Sequence, residues 1–480
     1  MKSTLFFAAL LLGVATAVSA QTVPTEGYRI EGRIRGLRDT TAVLAHYFGH
    51  SQYIPKDTAR IDGAGRFVFS GKSLPGGLYM VIGPKNKRLE LILFGDSAAT
   101  DKPLVMPRFS FETDTTSLVA KMTVSGSPDN EAFYAYQQQM LTFGNEAQGI
   151  ELQMRFRSDQ VSKISLRREM TELQRKARIY QQQFLVKNST PVVSKLLSMM
   201  GDPTVPAAPK KANGKVDSTF QYRYYKAHYW DNIDFGDERL VRTPIFQRKI
   251  DRYLQELTAP VVDSLITSAD LIVNKARANR EVLSYAIWYI TSQYERPRLM
   301  GTDGLFVHMA ENYYLSGVMP AADPATVDNI RKRVETIKPL LIGKSFPALA
   351  VSDTLRQPID LKQVNADYTV LFFYDPTCTH CRASIPTLAQ FAQDSTAKGV
   401  QFCAIAVDNS PDAWQKFIRE FGIQRWVNGY DFTFRTDYRR QYDVIKTPTV
   451  YVLDKDRTII ARALPAEQVA DFIQFRRRKK

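Results

Sequence analysis

The first part of the chain alternates apolar and polar residues in short runs that are separated by glycine and proline. Tyr28-Arg29-Ile30-Glu31-Gly32-Arg33-Ile34 alternates as a half-buried strand does. Asp62-Gly63-Ala64-Gly65 is a hairpin signal, and Phe67 and Phe69 follow it on one face. Further short apolar runs cover Ala42–Phe48, Leu78–Ile82 and Leu89–Phe94. Together these strands predict an all-β sandwich over residues 21–122.

The apolar spacing changes to three and four residues at Ser127-Pro128, where Ser can cap a helix and Pro can occupy its first turn. A longer seam steps by four and three residues through Leu166, Met170, Leu173, Ala177, Tyr180 and Phe184. A coiled-coil partner or a helix hairpin within the domain would bury this seam, and we favour the hairpin. With another capped start at Thr243-Pro244, the pattern predicts an all-α domain over residues 125–338.

From residue 340 the pattern alternates strands with helices. The apolar run Val370-Leu371-Phe372-Phe373-Tyr374 predicts a buried strand, and Ile385, Leu388, Phe391 and Ala392 lie on one face of the helix behind it. Two short strands are expected between Phe346 and this strand. Later strands are expected at Val400–Val407, Val450–Leu453 and Arg457–Arg462, and later helices at Pro411–Phe421 and Pro465–Phe475. This order predicts an α/β domain over residues 340–480.

The candidate chemistry lies where that buried strand gives way to its helix. The chain has three cysteines, and Cys378 and Cys381 are separated by two residues at the predicted helix start. Helix starts have unpaired N–H groups and favour negative charge, so a thiol there ionises more easily. His380 lies between the two cysteines, and its imidazolium or N–H is expected to lower the pKa of Cys378 further. We therefore expect a dithiol that closes into a disulfide and reopens.

Other uses of these side chains fit the sequence less well. If Cys378 and Cys381 were half of a zinc site, the site would need two more ligands, and the sequence has no second Cys-x-x-Cys pair. His46 and His50 are expected to be surface or packing residues. Covalent haem attachment would need a His directly after Cys381, where the chain has Arg382. Cys403 lies within a predicted strand and is expected to be an inert core thiol. We therefore expect no metal and no cofactor.

The N-terminus is typical of a secretory signal. Lys2 supplies the positive charge, Leu5–Val18 the apolar stretch and Val18-Ser19-Ala20 a small-residue cleavage site. We expect cleavage after Ala20, which makes residues 1–20 a signal peptide. A lipid anchor is not indicated, because no cysteine lies near this site. The sequence has no later stretch that is apolar for long enough to form a transmembrane helix. Export to the periplasm or cell envelope, where disulfides persist, is therefore expected.

The net charge of +15 raises the question of anionic partners. The tail Arg476-Arg477-Arg478-Lys479-Lys480 is wholly basic and is expected to contact anionic membrane weakly. Phe220–Trp230 interleaves aromatic and basic residues, which can stack nucleic-acid bases or pack as a helix under Lys and Arg side chains. Export favours packing, so no nucleic-acid partner is expected.

The order of elements from residue 340, with Cys-x-x-Cys at the first helix, Pro386 within it and Thr447-Pro448 before a late strand, resembles thioredoxin. Phe346-Pro347 after Gly343 and the segment Val400–Asp408 are more similar to the TlpA-type envelope branch and its peroxiredoxin-like relatives. The preceding regions resemble accessory domains found ahead of such modules in envelope proteins of Gram-negative bacteria, and those domains carry no assigned chemistry.

The resemblance implies a role for each residue of the candidate site. Cys378 would be the exposed attacking thiol and Cys381 the buried resolving thiol. Pro448 would be cis, and Thr447 would offer its backbone to an extended substrate. Such a protein exchanges disulfides with other proteins and depends on a redox partner.

Two positions depart from the family pattern. The exit strand has Phe372 where the family often has a carboxylate or Asn, and Ser384 stands where the TlpA-type branch often has Glu. Asp375 is a candidate substitute as proton acceptor for Cys381, although an Asp before Pro is equally a turn-forming residue.

The main hypothesis is an exported thiol–disulfide oxidoreductase that acts on envelope proteins through Cys378 and Cys381, with His380, Thr447 and Pro448 in the site. Because a lowered thiol pKa stabilises the reduced form, its potential is expected in the oxidising half of the range from about −270 to −120 mV. The alternative is an envelope protein that binds a peptide, glycan or protein and uses the thioredoxin module mainly as a scaffold.

Overall fold

A computed structural model describes residues 27–94, 104–187, 191–210, 212–320, 322–407 and 410–479. The expected signal peptide, Asp408 and Lys480 lie outside these described residues. The chain divides into two compact units, Met1–Gly201 and Asp202–Lys480. The boundaries at residues 122, 125, 338 and 340 that the sequence indicates stay a prediction.

The first unit contains β-sheets and the first long helices. Its strands are β1 (Tyr28–Arg35), β2 (Thr40–Phe48), β3 (Gln52–Ile61), β4 (Arg66–Gly71), β5 (Leu74–Pro75), β6 (Gly77–Ile82), β7 (Arg88–Leu93), β8 (Leu104–Val105), β9 (Arg108–Asp114) and β10 (Thr123–Ser125). One sheet has the strand order β10-β9-β1-β4 and another the order β3-β2-β6-β7. The predicted N-terminal β architecture is thus confirmed.

Alternation and turn chemistry explain the pairing of β1 with β4. Ile30 and Ile34 of β1 and Phe69 of β4 are buried, as the alternating pattern predicts. The connection into β4 turns at Asp62, whose carboxylate accepts hydrogen bonds from the N–H groups of Ala64 (2.9 Å) and Arg66 (2.8 Å). The hairpin signal in the sequence therefore marks a real turn.

Long helices complete the first unit. They are α1 (Pro128–Phe156), α2 (Gln160–Lys187) and α3 (Pro191–Met200). Ser127 caps α1, because its hydroxyl accepts a hydrogen bond from the Asn130 N–H at 3.4 Å. Leu166 and Leu173 of α2 pack with Ile150 of α1. The apolar seam is therefore buried within a helix hairpin, and this prediction is confirmed.

The second unit begins with a helical region. Its helices are α4 (Phe220–Ala227), α5 (Pro244–Gln255), α6 (Val262–Ala276), α7 (Arg280–Glu295), α8 (Gly304–Met309) and α9 (Pro324–Ile337). Tyr229 and Trp230 are buried, and the Lys249 ammonium lies 4.4 Å from the centroid of the Tyr229 ring. The end of the aromatic and basic run at Phe220–Trp230 thus packs within the protein, whereas no residue of α4 itself is buried.

The last part of the second unit is an α/β domain, as predicted. Its elements are β11 (Tyr368–Tyr374), α10 (Thr379–Gln393), β12 (Val400–Ala406), α11 (Pro411–Glu420), β13 (Val427–Gly429), α12 (Tyr438–Tyr442), β14 (Thr449–Asp454), β15 (Ile459–Arg462) and α13 (Val469–Arg478). The strand order is β13-β12-β11-β14-β15, and β11 is parallel to β12 and antiparallel to β14.

Burial on both sides explains the continuous apolar run of β11. Phe372 belongs to the core cluster that also contains Cys381 of α10, whereas Phe373 belongs to a second cluster with Tyr442 and Tyr451. A central strand that is covered on both faces is buried along its whole length and therefore mostly apolar. This strand therefore holds the turn that follows Tyr374 in a fixed place.

The prediction of two short strands after Phe346 is wrong. Between this residue and β11 the chain forms isolated bridges rather than ladders, such as the pair Ser352 and Tyr430, whose N–H and C=O groups bond reciprocally at 2.9 Å. The Asp353 carboxylate accepts from the Leu355 and Gln357 N–H groups, both at 2.8 Å, and closes a tight turn. A turn this early leaves too few residues for a ladder.

Candidate functional site

A tight turn carries the chain from β11 to α10. The Asp375 carboxylate accepts hydrogen bonds from the Thr377 N–H at 2.7 Å and from the Thr377 hydroxyl at 2.8 Å. The Cys378 N–H donates to the Asp375 carbonyl at 3.1 Å. Asp375 thus fulfils the turn-forming interpretation, and the turn places Cys378 directly before the helix.

The two cysteines at this helix start differ in their exposure. Cys378 occupies the N-cap position of α10 and is partly exposed, whereas Cys381 lies in the first turn and is fully buried. Both side chains are free thiols in the structure. A reagent from solvent therefore meets Cys378 first.

The environment of Cys378 favours its thiolate. Partial burial raises the pKa of this thiol, but the Thr447 side chain and the N–H groups of Cys381 and His380 lower it by more. The net pKa of Cys378 therefore lies below its ordinary value. Hydrogen-bond donors that point at a sulfur stabilise its thiolate, and the thiolate is the reactive form.

Cys381 has the opposite electrostatics. Burial raises the pKa of Cys381 to about 12, and the neighbouring Cys378 raises it as well. A protonated Cys381 can donate its S–H to a Cys378 thiolate, which is consistent with the lowered pKa of one and the raised pKa of the other. The pair therefore consists of an ionisable outer sulfur and a protonated inner one.

The loop before β14 lies against the outer sulfur. The Thr447–Pro448 peptide bond is cis, as the resemblance implies. The Cys378 Sγ donates to the Thr447 carbonyl at a distance of 3.5 Å. The Thr449 hydroxyl bonds back to the Lys446 carbonyl at 2.7 Å and closes the loop. The structure thus brings together four of the five residues that the sequence assigns to the site.

His380 is the fifth of these residues, and its imidazole is exposed. Its contribution to the pKa of Cys378 comes through the backbone N–H. The surroundings of the Cys381 sulfur are apolar, since Phe372 is fully buried in the same core cluster as Cys381. The Tyr374 hydroxyl is also buried there, and it has no hydrogen-bond partner among the described residues.

Arg382 is a residue of this site that the sequence analysis missed. Its guanidinium donates to the Pro376 carbonyl at 3.2 Å, pairs with Glu420 of α11 and lies 5.1 Å from the centroid of the Phe421 ring. These contacts fasten the active-site turn to α11. The sequence shows the arginine after Cys381, but its partner lies 38 residues away along the chain.

The remaining cysteine and histidines lie in other surroundings. Cys403 is fully buried in β12, and burial raises its pKa to about 12, which fits an inert core thiol. His46 is buried and meets the Tyr79 ring edge-on, with 5.7 Å between ring centroids. Within the described ranges, no group of three His, Cys, Asp or Glu side chains could hold a metal ion.

Comparison with known families divides the chain into three matched regions. The AhpC/TSA family matches residues 342–462. Two domains of unknown function match the preceding regions, DUF5106 at residues 173–338 and DUF4369 at residues 28–133. The candidate site thus lies within the region that matches the AhpC/TSA family.

Individual relatives cover parts of the chain. The thiol-disulfide oxidoreductase ResA of Bacillus thuringiensis is 25% identical over 133 residues, which are 28% of this chain and 75% of the relative. A crystal structure of a thioredoxin-like protein from Bacteroides caccae is 21% identical with a TM-score of 0.46, covering 57% of this chain and 98% of that one. A domain of a possible thiol-disulfide isomerase from Cytophaga hutchinsonii is 38% identical with a TM-score of 0.28, covering 29% of this chain and 96% of that one.

Proposed function

This chain is a TlpA/ResA-like protein with a thiol–disulfide oxidoreductase domain, and on that premise we propose that it exchanges disulfides with exported proteins through Cys378 and Cys381. The observation that carries the proposal is the asymmetry of the two sulfurs. Cys378 is partly exposed with a lowered pKa, and Cys381 is buried with a pKa of about 12. An attacking thiol needs the first environment and a resolving thiol the second.

The exchange proceeds in two displacements. The Cys378 thiolate attacks one sulfur of a substrate disulfide, so that a mixed disulfide forms and the other substrate sulfur leaves as a thiolate. Cys381 then loses its proton to solvent or to the departing thiolate and attacks the Cys378 sulfur. This step releases the second substrate thiol and leaves a Cys378–Cys381 disulfide. The substrate gains two electrons, and a dithiol of a partner protein returns them to the enzyme.

The neighbouring residues have supporting roles in this scheme. The first-turn N–H groups of His380 and Cys381 hold the negative charge on Cys378. The Thr447 backbone, whose carbonyl lies 3.5 Å from the Cys378 sulfur, would pair with the extended segment that carries the substrate cysteine. The cis Pro448 shapes the loop that presents this carbonyl. The same steps run in reverse would oxidise a substrate dithiol.

Turnover of a protein disulfide tests the proposal. The full chain should reduce insulin in the presence of a dithiol reductant, and Cys378→Ser should abolish the gain over the uncatalysed rate. Cys403→Ala is the matched control, since it removes a buried thiol outside the site and should retain turnover. Equal rates for the wild type and Cys378→Ser would instead favour a binding protein with a thioredoxin scaffold.

We propose export as the cellular context of this exchange. The observation that supports it is the signal-like segment at residues 1–20 in the sequence, because such segments direct proteins to compartments where disulfides persist. Among the described helices, none is long and apolar enough to cross a bilayer. Detection of the mature N-terminus at Gln21 in a periplasmic fraction would support export, whereas a retained Met1 in the cytosol would contradict it.

The basic tail is proposed to contact anionic membrane weakly. Arg477 of α13 donates to the Lys398 carbonyl at 2.5 Å and is held against the domain, whereas Arg476, Arg478 and Lys479 are exposed. Exposed basic residues bind anionic lipid with a strength that falls with salt. Co-sedimentation with phosphatidylglycerol vesicles at low salt, lost when residues 476–480 are removed, would support this contact.

A further inference from the structure

A cleft lies between the helical region and the α/β domain of the second unit. It has a volume of about 380 Å³. One wall comes from the connection between α7 and α8 and from α9, and the other comes from the loop before β14 and from β15. Lys446 and Thr449 line the cleft and flank Thr447-Pro448. The cleft therefore lies beside the loop whose Thr447 carbonyl is 3.5 Å from the Cys378 sulfur.

The rim of this cleft is apolar and exposed. Leu299 and Met300 on one wall are 57% and 42% exposed, and Ile445 on the other wall is 40% exposed. Single apolar side chains on a surface are ordinary, but here they face one cleft from both sides. Burial of this rim would remove apolar surface from water, so the rim favours an apolar occupant.

A buried polar atom lies behind the rim. Asp303 lines the cleft, is 4% exposed, and accepts a hydrogen bond from Arg462 through Oδ2. Its Oδ1 is buried and accepts no hydrogen bond from any residue that the structure describes. A buried carboxylate oxygen without a donor is costly, so a ligand that brings an N–H group is stabilised here.

The charges around the cleft argue against an ionic occupant. The acidic lining residues are Glu295, Asp303 and Asp443, and the basic ones are Arg296, Arg333, Lys446 and Arg462. Arg333 and Arg462 pair with all three of these carboxylates, so the lining presents little excess charge of either sign to an occupant. An uncharged group that combines apolar surface with N–H donors fits both features, and an extended polypeptide provides them together.

We propose that this cleft binds an uncharged, apolar, extended segment of the polypeptide whose cysteine reacts at Cys378. An apolar side chain of that segment contacts Leu299, Met300 and Ile445, and a backbone N–H reaches Asp303. The inference rests on the proposed function, because the segment is delivered by a substrate that is bonded to Cys378. In this arrangement the helical region of the second unit helps to select which polypeptides react at Cys378.

A trapped adduct tests this inference. The reduced full chain carrying Cys381→Ser is converted to two mixed disulfides by thiol–disulfide exchange. One reagent is the disulfide of 2-mercaptoethanol, and the other is the disulfide-linked dimer of a blocked, uncharged peptide that has a single Cys flanked by Leu residues; each reaction releases one reagent thiol. Hydrogen–deuterium exchange then compares the two adducts. The peptide adduct should slow exchange in residues 295–303 relative to the 2-mercaptoethanol adduct, because the peptide covers that wall.

Substitutions in the rim make the test specific. Met300→Asp in the same background should lose the peptide-dependent protection, since a charge would have to be buried under the peptide. Leu355→Asp is the matched control, an exposed apolar residue outside the cleft that should keep the protection. Adducts that form fully without protecting residues 295–303, or protection that persists in Met300→Asp, would overturn the inference. Failure of both disulfide reagents to form an adduct would overturn the proposed function and this inference with it.

Discussion

At the scale of single residues, the structure gives two sulfurs three positions apart opposite environments. Donors from the helix start and from Thr447 stabilise negative charge on Cys378. Burial keeps Cys381 protonated, with a pKa of about 12. Because nucleophilic attack needs a thiolate, we propose that Cys378 reacts first and Cys381 second.

Alkylation of the reduced protein should report this order. The thiolate is the species that attacks iodoacetamide and displaces its iodide, so a lowered pKa moves the rate curve of Cys378 to lower pH. We expect its half-maximal rate below the ordinary thiol pKa of about 8.5, with Cys381 and Cys403 unmodified between pH 7 and 9. Peptide mass spectrometry assigns the label, and a half-maximal rate above pH 9 at Cys378 would contradict the account.

The same electrostatics predict a redox potential. A thiolate that the fold stabilises favours the reduced dithiol, which makes the disulfide a stronger oxidant. We expect a potential in the half of the range nearer to about −120 mV than to about −270 mV. Equilibration with glutathione buffers, quantified by mass spectrometry, gives the value. A potential at the reducing end of that range would show that the stabilisation of Cys378 is too small to matter.

At this scale, sequence reasoning predicted what lies close along the chain. The spacing of Cys378 and Cys381 at a helix start was sufficient to predict a dithiol site. The contact of Cys378 with Thr447 spans 69 positions and came only from the family resemblance. The pair Arg382 and Glu420 was missed, because neither residue has a local pattern that identifies its partner.

At the scale of elements, periodicity and caps predicted the helices that begin at Pro128 and Pro244 and the buried strands, but not α6 or α9. The seam from Leu166 to Phe184 indicated a helix hairpin because its step matches the helical period. The segment between Phe346 and β11 was wrongly predicted as two strands, because the pattern of its apolar residues is similar to that of short strands. It is instead held by the turn at Asp353 and by a bridge to Tyr430. The short β13 and α12 were also missed, as neither is long enough to show a period.

One buried side chain joins the helical and β parts of the first unit. Asn130 of α1 is fully buried, accepts from the Ile92 N–H at 2.8 Å and donates to the Ile92 carbonyl at 2.8 Å. Asn130→Ala leaves two backbone groups of β7 without partners. We expect a loss of about 1–3 kcal/mol in the free energy of unfolding for each such group.

Denaturant unfolding of the full chain, followed by circular dichroism, measures this loss. Glu146→Ala is the matched control, since it truncates an exposed side chain of the same helix and should change stability by less than about 0.5 kcal/mol. If Asn130→Ala and the control are equally stable, the hydrogen bonds to Ile92 do not hold α1 against β7.

At the scale of the whole molecule, buried ion pairs join the helical region of the second unit to its α/β domain. Arg462 of β15 pairs with Asp303 before α8, and its other nitrogen lies 2.6 Å from Asp443. Arg333 of α9 pairs with Asp443 and lies 3.2 Å from Glu295. These residues are far apart in sequence, so no local pattern could have predicted that the two regions share one compact unit.

Removal of Arg462 should be strongly destabilising. Arg462→Ala leaves the carboxylates of Asp303 and Asp443 buried with one partner fewer, since their side chains are 6% and 8% exposed. We expect a loss of about 3–5 kcal/mol in the free energy of unfolding. Arg440→Ala, which breaks an exposed pair with Glu335 at 3.7 Å, should cost less than about 1 kcal/mol. Equal losses for both variants would show that the buried pairs do not join the two regions.

The most direct measurement of the central claim is the site of a trapped mixed disulfide. Reduced Cys381→Ser protein is mixed with a protein disulfide, quenched with acid and digested, and mass spectrometry locates the bonded cysteine. In Cys381→Ser we expect an adduct on Cys378 that accumulates, because no second thiol resolves it. In Cys378→Ser we expect no adduct. An adduct on Cys403, or equal adduct levels in both variants, would contradict the assignment of Cys378 as the attacking sulfur.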